Sequence, residues 1–247
     1  MYKRQDLIDA VADMTAVVKP QMAFYEKLGV PGMKCLWQTI AYAKTKDLIV
    51  LLDGKRNDIS STAGAYAEAY LENKKIGIDS ITINPYLGRD GVLPFLRNRE
   101  RGAFALLRTS NPSAGDLQDL KLNDGRTVYQ AVGDFLQEIG RDYIGESGYS
   151  NLAAVVGATY PEELKEIRAQ LDLVFFLIPG FGAQGGGAAD IKAGFDNDGR
   201  GAVVNSSRGI NFAYRKEEYS HFGSKNYAKA ARAAAAKMKK EINDVLK

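Results

Sequence analysis

The sequence contains one cysteine, one histidine, one tryptophan and only seven prolines in 247 residues. A lone Cys35 cannot close an internal disulfide, which suits a reducing compartment, and its Leu36-Trp37 neighbours read as those of a buried structural thiol. The single His221, in Tyr219-Ser220-His221-Phe222, reads as a packing residue. No Ser-His-Asp set and no cluster with metal-ligand spacing can be assembled. Apolar runs such as Leu173 to Ile178 fall far short of the roughly 18 residues of a membrane-spanning helix. The opening MYKRQDLIDA has no apolar core of the kind a signal peptide needs. An excess of one charge is also missing. Thirty-three Lys+Arg against thirty Asp+Glu leave +3, which calls for neither a nucleic-acid nor a membrane partner. Linkers, composition shifts and repeats are absent, so a single domain over residues 1–247 is expected, in a soluble, cytoplasmic protein.

What is present is a 45% hydrophobic, 26% charged chain able to build its own core. Seven short runs rich in aliphatic and β-branched residues recur: Ala16 to Val18, Leu48 to Leu52, Ser80 to Asn84, Ala103 to Arg108, Ala153 to Gly157, Val174 to Ile178 and Ala202 to Ser206. Most are continuously apolar, the pattern of parallel strands covered on both faces, which disfavours an antiparallel sandwich. Helical stretches lie among them, including Ala63 to Asn73, Pro161 to Gln170 and the Ala-rich Lys225 to Lys247, the last read as a solvated outer helix. Pro161 followed by Glu162 and Glu163 makes a good helix start, because proline fits the first turn and acids oppose the amino-terminal dipole. Strand-helix alternation at this length suits an eightfold barrel or an open doubly wound sheet, and a barrel needs one strand more than the seven counted.

In either architecture chemistry gathers at the carboxyl ends of the strands. The richest end is Leu52-Asp53-Gly54-Lys55-Arg56-Asn57-Asp58. Residues two apart on an extended strand share a face, so Asp53 and Lys55 should project together. Asp58 lies beyond the strand, where its simplest role is to cap the helix from Ser60 to Tyr70. Lys19 ends the preceding strand and, in a parallel sheet, falls beside Asp53. A second segment, Pro179-Gly180-Phe181-Gly182-Ala183-Gln184-Gly185-Gly186-Gly187, formally matches G-x-G-x-x-G. A dinucleotide fingerprint, however, belongs on the opening strand of its unit. The glycines instead leave backbone N–H groups open to an anion, with Gln184 and the guanidinium fork of Arg208 converging on it. A third segment, Arg108-Thr109-Ser110-Asn111-Pro112, carries hydrogen-bonding side chains that suit either a turn or the edge of a heterocycle.

Taken together, these segments resemble orotidine 5'-phosphate decarboxylase in its longer bacterial form. The matching stretches are VVKPQMAFYEKLG, LLDGKRNDISSTAGAYA, ITINPYLGRDG, LLRTSNPSAGDLQ, AAVVGATYPEEL, LIPGFGAQGGG and VVNSSRGI. They span Val17 to Ile210 in the family's order, and it is the combination that is specific. The resemblance implies an α/β fold, the (β/α)8 TIM barrel, acting as a homodimer with shared active sites. It implies conversion of orotidine 5'-phosphate to UMP and carbon dioxide without metal or cofactor. Lys19, Asp53, Lys55 and the partner's Asp58 would then form a charge array, with Lys55 protonating C6. Thr62 would join Asp58 in reaching across the dimer to the ribose. Ser110, with Asn111 beside it, would meet the pyrimidine, while Gln184, Gly185, Gly186 and Arg208 would hold the phosphate.

One departure accompanies the resemblance. Members of the family begin with a further strand that ends in a Gly-Leu-Asp-Pro type sequence. Here the chain opens in the helix expected after it, Tyr2 to Met14. Two alternatives therefore stand beside decarboxylation: a weakly active or inactive nucleotide-phosphate binding barrel, and a magnesium-dependent sugar-phosphate enzyme sharing the D-x-K-x-x-D string.

Overall fold

The computed structural model describes residues 2–73, 76–182 and 187–247. All seven expected strands form, as β1 (Val17–Val18), β2 (Ile49–Arg56), β3 (Ser80–Ile83), β4 (Gly102–Arg108), β5 (Leu152–Val156), β6 (Phe176–Pro179) and β7 (Ala202–Asn205). They pair in sequence order and every pairing is parallel. Parallel neighbours need a crossover, and helices supply it. In chain order the helices are α1 (Tyr2–Val11), α2 (Ala23–Glu26), α3 (Gly29–Lys44), α4 (Ser60–Ala67), α5 (Arg89–Val92), α6 (Gly115–Gln118), α7 (Val128–Gly140), α8 (Pro161–Gln170), α9 (Ala188–Lys192), α10 (Arg208–Asn211) and α11 (Tyr227–Leu246), of which α2 to α9 lie between strands.

The sheet curls. Side chains from β2, β4, β5 and β6 (Leu51, Phe104, Ala153, Val155 and Leu177) meet in one inner cluster, which Val17 of β1 and Val203 of β7 also join. Both ends of the strand order therefore converge on one axis, as in a barrel. A larger outer core, with Leu36, Ile40, Leu52, Ile81, Leu136 and Phe176 fully buried, lies between sheet and helices. Among the described residues β1 and β7 do not pair with each other, and every residue of either strand is only half-buried, whereas β3 and β5 are buried throughout. Seven strands of the expected barrel are thus in place, and no eighth strand is seen among the described residues.

The helical layer, unlike the sheet, joins first to last. Arg232 of α11 donates to the Ala10 carbonyl and forms an ion pair with Asp13 at 2.7 Å, and the Tyr227 hydroxyl donates to Asp6. The tail helix is therefore not simply a solvated one: Ala230, Ala231, Ala234 and Ala235 are buried. Alanine is both a strong helix former and small enough to let another element approach closely.

Two more expectations are corrected. Cys35 is half-buried rather than buried. It lies beside the core face of α3, which is carried by Gly32, Leu36, Ile40 and Ala43. His221 is exposed, with its ring 4.1 Å from that of Phe222.

Candidate active site

At the carboxyl end of β2 the carboxylate of Asp53 is gripped from both sides. Lys19 Nζ lies 2.6 Å from Oδ2, and Lys55 Nζ lies 2.6 Å from Oδ1. Asp53 is almost wholly buried, Lys19 nearly so, and Lys55 half exposed with 47% of its side chain open. Burial alone would push the Asp53 carboxyl up, but the Lys19 and Lys55 ammoniums more than offset it and hold the carboxyl below its usual range. Alternating charge is what allows three ionised groups to sit at the mouth of an apolar sheet.

Lys19 reaches Asp53 as parallel adjacency predicts. Lys55 reaches it by another route than strand alternation. Register between β2 and β3 runs from Leu52 opposite Ile81 to Arg56 opposite Ile83, so Asp53, Gly54 and Lys55 together face the single residue Thr82. Lys55 takes a left-handed backbone, φ 44°, that non-glycine residues rarely adopt. Bulges at strand ends re-aim side chains, and this one turns the lysine back onto its own strand's carboxylate. The Lys55 N–H donates to Thr82 Oγ1 at 2.9 Å, and Thr82 Oγ1 donates to Asp53 Oδ1 at 3.0 Å.

Asp58 does not cap the following helix. The residue before α4 is Ile59, and no side chain caps that end. Asp58 Oδ1 instead accepts the Ile59 N–H at 2.8 Å, which holds the loop itself. The helix expected through Tyr70 is α4 followed by a wider π turn over Glu68–Glu72. Thr62 is exposed on the first turn of α4. Asp58 and Thr62 thus sit just past the charged row, with Thr62 open to the outside and Asp58 half-buried.

At the end of β4 a second irregularity separates Leu106 from Arg108 in the pairing with β5. Arg108 is buried between helices, its Nε 2.8 Å from Glu163 of α8 and its guanidinium 3.1 Å from Asp119. The next residue is clamped by Gln118, which accepts the Thr109 N–H at 3.0 Å and donates to the Thr109 hydroxyl at 2.8 Å; that hydroxyl donates to Asn111 Oδ1 at 2.6 Å. Ser110, half-buried, sits over Gly157 at the end of β5. A Cβ on Gly157 would lie 2.9 Å from Ser110 Cβ and 3.1 Å from its nitrogen, so glycine there is what makes room for the serine. Asn111 is exposed.

At the β6 and β7 ends, Gly180 and Gly182 take left-handed φ values of 91° and 72°. The Ser206 hydroxyl donates to the Phe181 carbonyl at 3.3 Å and ties the two loops together. Arg208 opens α10, exposed, with Gly209 behind it. The Lys216 ammonium, a cation that residue spacing did not single out, comes within 3.8 Å of the place a Cβ on Gly209 would occupy. Gln184, Gly185 and Gly186 lie outside the described residues.

Known proteins share this sequence and fold. The sequence model of the orotidine 5'-phosphate decarboxylase / HUMPS family matches residues 3–221. The chain belongs to that family. It is 48% identical over 246 residues to the orotidine 5'-phosphate decarboxylase of Rhodopirellula baltica, covering 96% of this chain and 81% of that one. Identity to the decarboxylase of Clostridium perfringens is 42% over 245 residues, or 98% and 83% of the two chains. The solved structure of Leishmania donovani OMP decarboxylase superposes with a TM-score of 0.81 at 33% identity, over 99% of this chain and 86% of that one. Relatives named as decarboxylases at 42–48% identity over nearly the whole chain favour the decarboxylase over the two alternatives raised by the sequence.

Thr82, Gln118 and Lys216 escaped the sequence reading. For Thr82 there was a signal: a hydroxyl between Ile81 and Ile83, at the rim end of an otherwise apolar strand.

Proposed function

We propose that this protein is a carboxy-lyase that converts orotidine 5'-phosphate to UMP and carbon dioxide in pyrimidine biosynthesis. The observation that carries the reading is the Lys19–Asp53–Lys55 row, with one buried carboxylate between two ammoniums at 2.6 Å each. Departure of carbon dioxide leaves electron density on C6 of the pyrimidine. An ammonium already fixed there stabilises that charge without the reorganisation water would need, and Lys55 then delivers the proton. Asp53 beside the substrate carboxylate makes a like-charge contact that is relieved as the carboxylate leaves. Lys19 keeps Asp53 ionised while Lys55 is engaged with substrate. Ser110, with Asn111 next to it, meets the pyrimidine edge. Gln184, Gly185, Gly186 and Arg208 hold the phosphate, whose binding energy positions a ring that reacts some distance away.

The site is shared between two copies, with Asp58 and Thr62 of one serving the ribose and C6 region of the other. Supporting this, large apolar side chains stand exposed around the loops after β2 and β3: Ile59 at 48%, Tyr86 at 76%, Leu87 at 43% and Leu93 at 36%. The place of a Cβ on Gly91 lies 3.0 Å from the Asp58 carbonyl oxygen and 3.4 Å from Leu87, so the two loops adjoin, and exposed apolar side chains beside Asp58 suit an interaction surface. Among the described residues no helix is long and apolar enough to cross a membrane. We place the enzyme in the cytoplasm, a reducing compartment that suits its single unpaired cysteine.

Loss of orotidine 5'-phosphate absorbance on adding purified protein, unchanged by a chelator, is the expected result. A folded protein with no turnover overturns the reading, and turnover abolished by the chelator favours the magnesium chemistry instead. For the shared site, Asp58→Ala and Lys55→Ala proteins are each nearly inactive alone and regain activity when mixed, because one site of each heterodimer recovers both native groups. With subunit exchange verified, a mixture no more active than its parts rules out sharing.

A further inference from the structure

We infer that Thr82 is a positioning residue for the reacting pair, a single hydroxyl that sets both the Asp53 carboxylate and the backbone that carries Lys55. The inference rests on the reading of Asp53 and Lys55 as that pair.

The need arises from the β2 bulge. A regular ladder would satisfy each inward backbone group, but three β2 residues here stand opposite one β3 residue, so the ladder is broken across Asp53, Gly54 and Lys55. The Lys55 N–H finds the Thr82 hydroxyl at 2.9 Å in place of a strand carbonyl. That bond holds a residue whose φ of 44° is unfavourable for any side chain, where strain must be offset by its surroundings.

The direction of the hydroxyl is forced. A backbone N–H only donates, and an ionised carboxylate only accepts, so Thr82 must accept from Lys55 and give its one proton to Asp53. The second bond is 3.0 Å long, to the same Oδ1 that Lys55 Nζ contacts at 2.6 Å. A closed ring results: Lys55 N–H to Thr82, Thr82 to Asp53, and Asp53 back to the Lys55 ammonium. Lys55 is thereby fixed at both ends, although half of its side chain is open to solvent. Thr82 is 1% exposed with Ile81 and Ile83 fully buried beside it, so water cannot take the hydroxyl's place. The charged groups facing Asp53 are Lys19, from beyond β1, and Lys55, on its own strand; Thr82 faces it from β3.

The test compares Thr82→Val, which keeps the shape and removes the hydroxyl, with Thr82→Ser, which keeps the hydroxyl. Thr82→Val is expected to lower kcat by about 10- to 100-fold, the usual consequence of misplacing a reacting group by a fraction of an ångström to an ångström. UMP affinity should stay within about threefold, because phosphate and ring contacts lie elsewhere. Removing a donor from the charged form raises the Asp53 pKa, so the acid limb of the kcat profile moves to higher pH. Thr82→Ser should restore kcat, UMP affinity and the acid limb. Wild-type kcat and acid limb in Thr82→Val would overturn the inference, as would a Thr82→Ser protein as impaired as the valine variant. Should Thr82→Val not fold, Thr82→Ala also removes the hydroxyl without adding bulk, and wild-type kcat and acid limb there count against the inference equally. Wild-type protein that does not turn over orotidine 5'-phosphate sinks the functional reading and this inference together. An active wild type with an unaffected hydroxyl-free variant sinks the inference alone.

Discussion

Replacing Lys55 with alanine abolishes the chemical step, by at least about 10⁴-fold in kcat, and leaves UMP binding measurable. Two effects are lost together. A preorganised electrostatic donor is typically worth about 10²- to 10³-fold, and a positioned proton donor about 10²- to 10⁴-fold. Both fall on one ammonium, held 2.6 Å from Asp53. Folding should change little. Lys55 is half exposed, and Asp53 keeps its 2.6 Å pairing with Lys19 and its bond from Thr82. Exposed partners of this kind contribute at most about 1 kcal/mol. Single-turnover absorbance together with UMP calorimetry reads both halves of the expectation. A variant that turns over within tenfold of wild type would remove Lys55 from the mechanism, and one that no longer binds UMP would make it a binding residue instead.

The second large effect belongs to Asp53→Asn, which changes activity and pH-dependent stability at once. Without the carboxylate, Lys19 is left largely buried without its counterion, and Lys55 loses the group that orients it. Removing one partner from a fully buried pair costs about 3–5 kcal/mol; with Lys55 partly in water, a loss of about 1–3 kcal/mol is expected at pH 7. The direction with pH follows from the carboxyl. Its folded pKa lies below the unfolded value of about 3.9, because the two lysines outweigh burial. Its contribution is therefore fully present above that value and is lost as pH falls through the folded pKa. Urea unfolding should show the gap between wild type and Asp53→Asn widest near neutrality and shrinking below about pH 4. A gap that stays constant or grows on acidification would mean the carboxylate is not held by the lysines in solution. Turnover should fall by at least about 10²-fold, since an asparagine neither orients Lys55 nor opposes the substrate carboxylate.

The strands were legible because parallel strands covered on both faces are written as continuous apolar runs, and β3 and β5 are buried throughout. The helix over Pro161–Gln170 was legible from its Pro-Glu-Glu start. Neither α3 nor α7 was singled out, though α7 begins with a Thr127–Gln130 capping box that is readable in sequence. Of the site, Lys19 beside Asp53 followed from parallel adjacency. Asp53 beside Lys55 was expected from strand alternation and arises from a left-handed bulge, a right partnership reached through a different backbone. Asp58 as a helix cap failed because Ile59, not Asp58, occupies the residue before α4.

By itself, the sequence determined the chemistry available: seven apolar runs, an acid between two lysines at strand ends, a glycine-rich loop near an arginine, and family membership written in motifs spread from Val17 to Ile210. Those depend on residue type and order, which a linear chain displays. Only the tertiary structure decided which groups share a hydrogen bond. That Thr82 holds Asp53 and Lys55 at once, that Gly157 clears space for Ser110, and that α1 closes on α11 while, among the described residues, β1 and β7 do not pair with each other are matters of register and approach within a few ångströms. A one-residue shift in strand register exchanges the two faces, and residue order alone does not specify where a bulge will place that shift.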